Sequence, residues 1–446
     1  MASSPSDLTV AFLDHGLFVS LARHIGRNFK KAYYTPSWKV NAPSSNSHDI
    51  GKGVGNLERV DDVWGLILPD LERILDPDEH DDDGYLKDPS VDLFVVLDLY
   101  FTHEVQMLRK MGYRVWGAGA GEELEVDRIG AKAILKEHGV PVGPYTVWTG
   151  MDDLESYLKT HPGRHYIKLG KTRADGESQE CLGWKYIQPW LRDMRYELGN
   201  RAHTYKFLVE KGLDGVIEAA LDCYNIYGQI PDRALQGVEE KDQAYCGIFT
   251  DNLNSQFTEV YRALAPWFKA KGCCSFTSIE SLIDEDAKPW ITDPAIRPGL
   301  PSGAAQCAMY GNVDKIVLAG AGGVLVQPTN AGKWVVELML LTGNSKRHPV
   351  HVPKELEEHV FLVNCWKSKP QDYEVMPQPH LRAPEGLATL GSVVAIGKTM
   401  EAAGELAHEY AQEIMKGSMG IEVSESALDA IEEKFEKLAE RGCSLE

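Results

Sequence analysis

The chain has 446 residues, 43% of them apolar and 25% charged, a composition that excludes a disordered or fibrous protein and leaves room for roughly two to four domains. Forty-six basic against 66 acidic side chains give a formal net charge of −20, which disfavours a non-specific grip on nucleic acid or an anionic membrane and favours small metabolites as partners. The N-terminus lacks a basic segment followed by an apolar one, and no window approaches the roughly 18 apolar residues of a membrane span, so a cytoplasmic location is expected. The eight cysteines are scattered without a C-x-x-C spacing and read as reduced thiols.

In chain order, "LTVAFLDHG", "DLFVVLDLY" and "YRVWGAGAG" read as buried parallel strands, with the helical segment "THEVQMLRKMG" before the last. That order predicts an open α/β sheet over residues 1–118, with His15, Gly16, Asp98 and His103 near the carboxyl ends of its strands, where such sheets bind ligands. Between these runs, 41–87 is polar and turn-rich, and its acidic stretch "DPDEHDDDG" reads as a solvated loop rather than a cation site.

A second unit is expected over 119–345. "ELEVDRIGAKAILKEHG" has helical spacing and a closing glycine, and "GVPVGPY" leads into a strand. A small α+β subdomain at about 141–217 follows, with "MDDLESYLKTH" as a helix and "HYIKLG" as a strand. "LDGVIEAALDCYNIYGQI" reads as a strand, a crossover and another strand; "QFTEVYRALAPWFKAKG" reads as an amphipathic helix. "CCSFTSIESLID" and "KPWITDPAIRPG" form a hairpin. A C-terminal α+β unit over 346–446 contains the strand "LGSVVAIG" and the helix "TMEAAGELAHEYAQEIMK", and the strand "KWVVELMLLT" precedes it.

Several residues in this order suit a polyphosphate site. Lys168 ends a β-branched, aromatic strand and runs into a loop bracketed by Gly170 and Gly176, a pattern suited to a fixed ammonium beside a loop that folds over phosphates. A surface lysine before a turn is the other reading. Lys132 sits on the preceding helix. No G-x-x-x-x-G-K-[ST] occurs, so the motif of a P-loop is absent. The strand end Val216–Leu221 has backbone groups that could meet an adenine edge, or is a buried strand end. Glu280 and Asp293 stand across the hairpin, where facing carboxylates repel unless a cation such as Mg²⁺ joins them, or they point to opposite faces. Arg297, four residues after Asp293, shares its side if the strand continues and could brace negative charge on a phosphoryl group.

With these residues in place, the chain resembles the ATP-grasp superfamily, and within it the glycinamide ribonucleotide synthetases, or phosphoribosylamine-glycine ligases, from about Leu8 to Tyr410. "LEVDRIGAK" and "GVPVGPY" are similar to the family's L-E-x-S-K-x-x-x-K and "gIP" segments, with Glu125, Arg128 and Lys132 at the matching places. "YIKLGKTRADGES" resembles its strand lysine and glycine-rich lid, "VIEAALDCYN" its purine hinge, and "ITDPAIRPG" its metal motif E-x-N-x-R-x-G. The resemblance implies an α/β protein with an N-terminal open parallel-sheet domain, an ATP-grasp domain with a small lid, and a C-terminal α+β domain.

It also implies ATP held by Lys132, Lys168 and Gly176, with Glu218 and Leu221 beside the adenine and Asn225 at the ribose position. Mg²⁺, or Mn²⁺, would be held by Glu280 and Asp293, with Lys168 and Arg297 at the transferring group. The implied reaction joins a small carboxylate to an amine through an acyl phosphate, releasing ADP and phosphate. Three departures stand out: Ala295 replaces the motif's asparagine, Tyr224 and Asn225 replace the hinge's later acidic pair, and N-T-G-G-M-G has no counterpart, with "EEKDQAYCGIF" in its region. The other readings are a nucleotide-binding protein without turnover and a ligase acting on a macromolecular acceptor. Oligomeric state is open.

Overall fold

The computed structural model describes residues 4–36, 49–171, 178–344, 346–379 and 386–446. At the N-terminus, strands Thr9–Asp14, Lys31–Pro36, Leu57–Arg59, Leu93–Val96 and Arg114–Trp116 form one parallel sheet. The two central strands, Thr9–Asp14 and Leu93–Val96, lie side by side and the order runs outward from them in both directions, which opens a crevice at their carboxyl ends. Asp14 lies there with Tyr34 Oη 2.7 Å away, and His15 meets the Leu99 carbonyl at 3.0 Å. The segment 49–87, expected to be loop, contributes the edge strand Leu57–Arg59 and the short helices Trp64–Ile67 and Leu71–Ile74. Three residues of strand and four of helix are too short for periodicity to show. In the acidic stretch, Asp76 and Asp81 accept hydrogen bonds from local backbone amides, the geometry of a solvated turn.

The expected helix over 123–139 is broken. Glu123–Val126 ends at Asp127, whose carboxylate caps Arg128–Glu137 by accepting from Gly130 N at 2.9 Å. An aspartate that can bond a nearby amide starts a new helix more readily than it continues an old one. The small sheet that follows has the antiparallel order Tyr145–Thr149, Lys206–Lys211, His165–Leu169, Ser178–Cys181. Helices Met151–Thr160 and Trp184–Leu198 share a separate apolar core with it, built on Met151, Leu154, Ile167, Ile187 and Phe207.

The largest sheet is antiparallel and nine-stranded. Pro289–Ala295 and Cys274–Ile283 lie at one end, next to Ile217–Ile226, then Ala234–Glu240, Ala244–Thr250, Trp334–Thr342, Ala388–Gly397 and Val360–Leu362; Gln378–Pro379 also pairs with Ala388–Gly397. The sheet therefore carries strands from both sides of residue 345. Residues 217–226, expected to hold two strands and a crossover, make one ten-residue strand, because one edge is paired with Cys274–Ile283 along its whole length and the other with Ala234–Glu240 over Ala219–Asp222. The helices Ser255–Lys271 and Met400–Gly417 form where their spacing predicts, capped by the side chains of Asn254 and Thr399. All eight cysteines are free and buried. Among the described residues, no helix is long and apolar enough to cross a membrane.

One charge sits within this core. Every residue of Trp334–Thr342 is buried, and Glu337 is 0% exposed. Its carboxyl accepts from Ser302 N, Ala305 N and Ser392 Oγ at 3.1, 2.9 and 2.8 Å, so the apolar strand tolerates it. Burial nevertheless pushes it up to about 7 from an ordinary 4.5. A folded value above the unfolded one means that this group's contribution to stability is complete below about pH 4.5 and is lost as pH rises through about 7. Glu337→Gln should flatten that part of the profile: denaturation midpoints measured from pH 4 to 8 should fall less steeply than in the parent protein.

Candidate active site

A cavity of about 130 Å³ opens between the small four-stranded sheet and the end of the nine-stranded sheet that carries Ile217–Ile226, Cys274–Ile283 and Pro289–Ala295. Its walls divide by chemistry. Tyr166, Leu213, Val216, Leu282 and Trp290 give an apolar, partly aromatic slot, whereas Lys168, Glu210, Glu218 and Asp293 gather charge. A slot with a few convergent polar groups is the usual form of a small-molecule site.

Lys168 is 4% exposed and stands on His165–Leu169, paired through its backbone with Leu208 and Ser178. Its ammonium lies 2.6 Å from Asp293 Oδ2 and 2.8 Å from Glu210 Oε2. Burial alone would lower its affinity for the proton, but the charges of Asp293 and Glu210 reverse that and raise it above the ordinary value. Lys168 is therefore a fixed, charged cation. Gly170, two residues along the chain, has no room for a side chain: a Cβ there would lie 2.8 Å from Ile129 Cδ1 and from the Lys206 carbonyl. Gly176 lies outside the described residues.

Asp293 faces the cavity with its side chain 47% exposed. Its burial among protein atoms is offset by the charges of Lys168, Arg128 and Lys132, which hold the carboxyl well below its ordinary range. Glu210 was not found by sequence reasoning, although an acid inside the apolar run "FLVEK" was a usable signal, since a buried carboxylate needs a partner. Burial pushes its carboxyl up, and Lys168 and Lys132 more than offset that, so it stays ionised.

Four of the expected site residues lie outside the described lining of the cavity. Lys132 is 2% exposed, with its ammonium 2.5 Å from Glu210 Oε1. Leu221 and Asn225 are 0% exposed and also outside that lining, while Glu218 borders it. The strand they share is interior to the sheet, so only its first residues reach the cavity. Asn225 Oδ1 instead accepts from Gly228 N at 2.8 Å in the turn that ends the strand. The backbone nearest the slot is the link Lys211–Val216 between the two sheets, of which Lys211, Leu213 and Val216 line it.

Arg297 is the fourth. The strand ends at Ala295, so spacing along it no longer sets the direction of the side chain. Arg297 bonds Glu125 and Asp98, each at 2.9 Å, and Glu125 Oε2 also accepts from Ile296 N at 2.8 Å. The arginine thereby ties the nine-stranded sheet to the N-terminal crevice, away from the described cavity lining.

Glu280 and Asp293 do not share one space. The hairpin register shifts between Ile279 and Ser281, so Glu280 stands opposite the pair Thr292–Asp293. Glu280 borders a much smaller inner cavity, of about 10 Å³, with Glu218, Glu239 and Asp222, and Glu218 is the wall common to both cavities. Burial, with the charges of Glu218 and Glu239, raises the Glu280 carboxyl well above its ordinary range despite the opposing Lys241. Burial also acts to raise Glu218, but Lys241 and the hydrogen bond from Glu280 lower it below its ordinary range. Glu280 therefore keeps a proton to higher pH than an ordinary carboxyl, beside a Glu218 that loses its own more readily. Among the described residues, no group of three or more histidine, cysteine, aspartate or glutamate side chains converges as a metal cage. Asp293 and Glu218 are oxygen donors bordering the larger cavity, which fits a hard divalent cation completed by ligand oxygens.

No protein-family model and no curated protein sequence matches the chain. Solved structures do. Phosphoribosylamine-glycine ligase from Thermotoga maritima superposes with a TM-score of 0.61 at 14% identity, covering 91% of this chain and 96% of that one. N5-carboxyaminoimidazole ribonucleotide synthetase from the same organism gives 0.55 at 15% identity over 94% and 100%. Biotin carboxylase from Campylobacter jejuni, in a β-γ-ATP complex, gives 0.59 at 12% identity over 94% and 93%. At these identities the likeness is one of fold: an N-terminal parallel sheet, a central ATP-grasp-like domain with its lid, and a C-terminal antiparallel sheet region.

The opposite shifts of the two carboxyls have a direct consequence for substitution. Glu280→Gln retains a donor for Glu218 and should change stability by less than about 1 kcal/mol. Glu218→Ala removes the acceptor and should cost about 1–3 kcal/mol. Urea denaturation at pH 7 separates the two cases.

Proposed function

We propose that the protein is an ATP-dependent ligase that joins a small carboxylate to an amine through an acyl phosphate, with release of ADP and phosphate. The observation that carries this reading is the buried, charged Lys168 beside Asp293 in a cavity whose lining also includes the aromatic Tyr166 and Trp290. In this reading the aromatic and apolar lining takes a base, and the cation takes a polyphosphate. The likeness to ligases and carboxylases, one of them in a β-γ-ATP complex, supports the same assignment.

In this reading the chain contributes position and charge rather than a nucleophile. Lys168 holds the phosphate that is transferred and offsets the charge that develops on it. Asp293 would hold Mg²⁺, with Glu218 as the second carboxylate bordering the same space and Glu280 behind it; such an ion would supply charge neutralisation at the phosphates. The link Lys211–Val216 places backbone beside the base. The small sheet covers the slot and limits access of water, which would hydrolyse an acyl phosphate.

The observation favouring a nucleotide-binding protein without turnover is Ala295, whose methyl group cannot ligate a metal. ADP release decides between the two readings. The purified protein with Mg²⁺-ATP and a panel of small carboxylates and amines should release ADP only with one pair, and calorimetric ATP binding without release from any pair would favour the second reading. Lys168→Ala should lower turnover by at least a factor of about 10²; unchanged ADP release would remove Lys168 from the chemistry. Asp293→Asn should shift the Mg²⁺ titration of activity upward by about tenfold or more, an effect absent if another group holds the ion.

A further inference from the structure

The ammonium of a lysine has three N–H donors. Those of Lys132 meet Glu210 Oε1 at 2.5 Å, the Thr292 carbonyl at 3.0 Å and the Ile291 carbonyl at 3.2 Å. All three acceptors belong to the protein, and the side chain is 2% exposed. A lysine so placed has no donor left for a ligand in the cavity beyond Glu210. The acceptors lie on two different sheets: Glu210 on Lys206–Lys211, and Ile291 with Thr292 on Pro289–Ala295. The second oxygen of Glu210 takes Lys168 at 2.8 Å, and the residue after Thr292 is Asp293, which takes Lys168 at 2.6 Å. Both groups that hold Lys168 are thus themselves held by Lys132, one through its carboxylate and the other through the adjoining backbone.

We infer that Glu210 and Lys132 are positioning residues for Lys168, with Lys132 acting through Glu210 and the 291–292 backbone and making no contact with the bound nucleotide. The inference rests on the nucleotide reading above. It assigns the lysine on the helix a role different from the phosphate contact implied by the motif resemblance, and it gives Glu210 a function. A carboxylate that bridges two ammonium groups sets their separation, so the cation at the phosphate keeps one place instead of sampling the rotamers open to an unrestrained lysine.

A double-mutant cycle tests this, with Mg²⁺-ADP as the calorimetric probe. Glu210→Gln and Lys132→Met should each weaken binding about tenfold, the equivalent of one charge-assisted hydrogen bond. The double variant should bind more tightly than the two single effects multiplied together, because the Glu210 route is common to both and Lys132 keeps only its 291–292 route once Glu210 is changed. Fully multiplied effects would show that Lys132 acts independently of Glu210 and would overturn the inference. If a single variant leaves an unpaired buried charge and fails to fold, Lys132→Met with Glu210→Leu removes both charges together and keeps an apolar filling. Parent-like affinity in that protein would overturn the inference, and weakened affinity would uphold it. The crystal structure of Glu210→Gln, or of that double variant, gives a readout free of nucleotide: a displaced Lys168 ammonium upholds the positioning role, and an unmoved one overturns it. Should the parent protein bind no Mg²⁺-ADP, the nucleotide reading fails, and the position of Lys168 in that crystal decides the positioning role separately.

Discussion

Lys132, Glu210, Lys168 and Asp293 form one continuous ionic chain, ammonium to carboxylate to ammonium to carboxylate, with contacts of 2.5, 2.8 and 2.6 Å. Its first three members are almost entirely buried. Isolated charges in such a place would be expelled or neutralised, and an alternating chain is the arrangement in which each desolvated group finds its counter-charge. The chain crosses four elements, a helix, two strands of the small sheet and one strand of the nine-stranded sheet, so their relative positions are those at which all three contacts can be made together. Losing Glu210 would leave the buried Lys132 ammonium without a counter-charge, which is why the rest of the site depends on it.

The same logic distinguishes the two cavities. Around Lys168, positive and negative groups alternate, and the carboxylates stay ionised. Around Glu280, carboxyls outnumber the single ammonium of Lys241, and burial with the neighbouring carboxylates holds a proton on Glu280 to higher pH than usual while Glu218 ionises more readily. Glu218 belongs to both walls, so its charge is set from one side by a proton and felt from the other by whatever enters the larger cavity. A divalent cation reaching Glu218 and Asp293 would compete with that proton, which couples metal affinity to proton release.

Arg297 does comparable work at a different boundary. Between Glu125 and Asp98 it joins the nine-stranded sheet to the carboxyl end of the N-terminal parallel sheet. The buried Asp14 stands in that crevice, where burial and the charge of Asp98 push it up to about 6. The crevice is thus electrostatically continuous with the segment that follows the metal-motif strand, and an arginine expected at the phosphoryl group serves as a tie between sheets.

The elements legible in the sequence are those whose signal is local. Apolar runs gave the strands around Phe12, Val95 and Val335, spacing and caps gave the helices after Asn254 and Thr399, and a lysine closing "HYIKL" marked the cation of the site. Asp293 was legible as a carboxylate near that site. What only the tertiary structure decided is which of these groups meet. Lys168 and Asp293 are 125 residues apart in the chain, and Lys132 reaches a carbonyl 159 residues away; no periodicity reports on such pairs. Glu210 was overlooked for that reason, and Leu221 and Asn225 were misplaced because an interior strand and an edge strand look alike until their neighbours are known. Sequence determines the side chains available and the local path of the backbone. The burial of each charge, and hence its partner, its protonation and its role, depends on the packing of sheets that only the folded chain brings together.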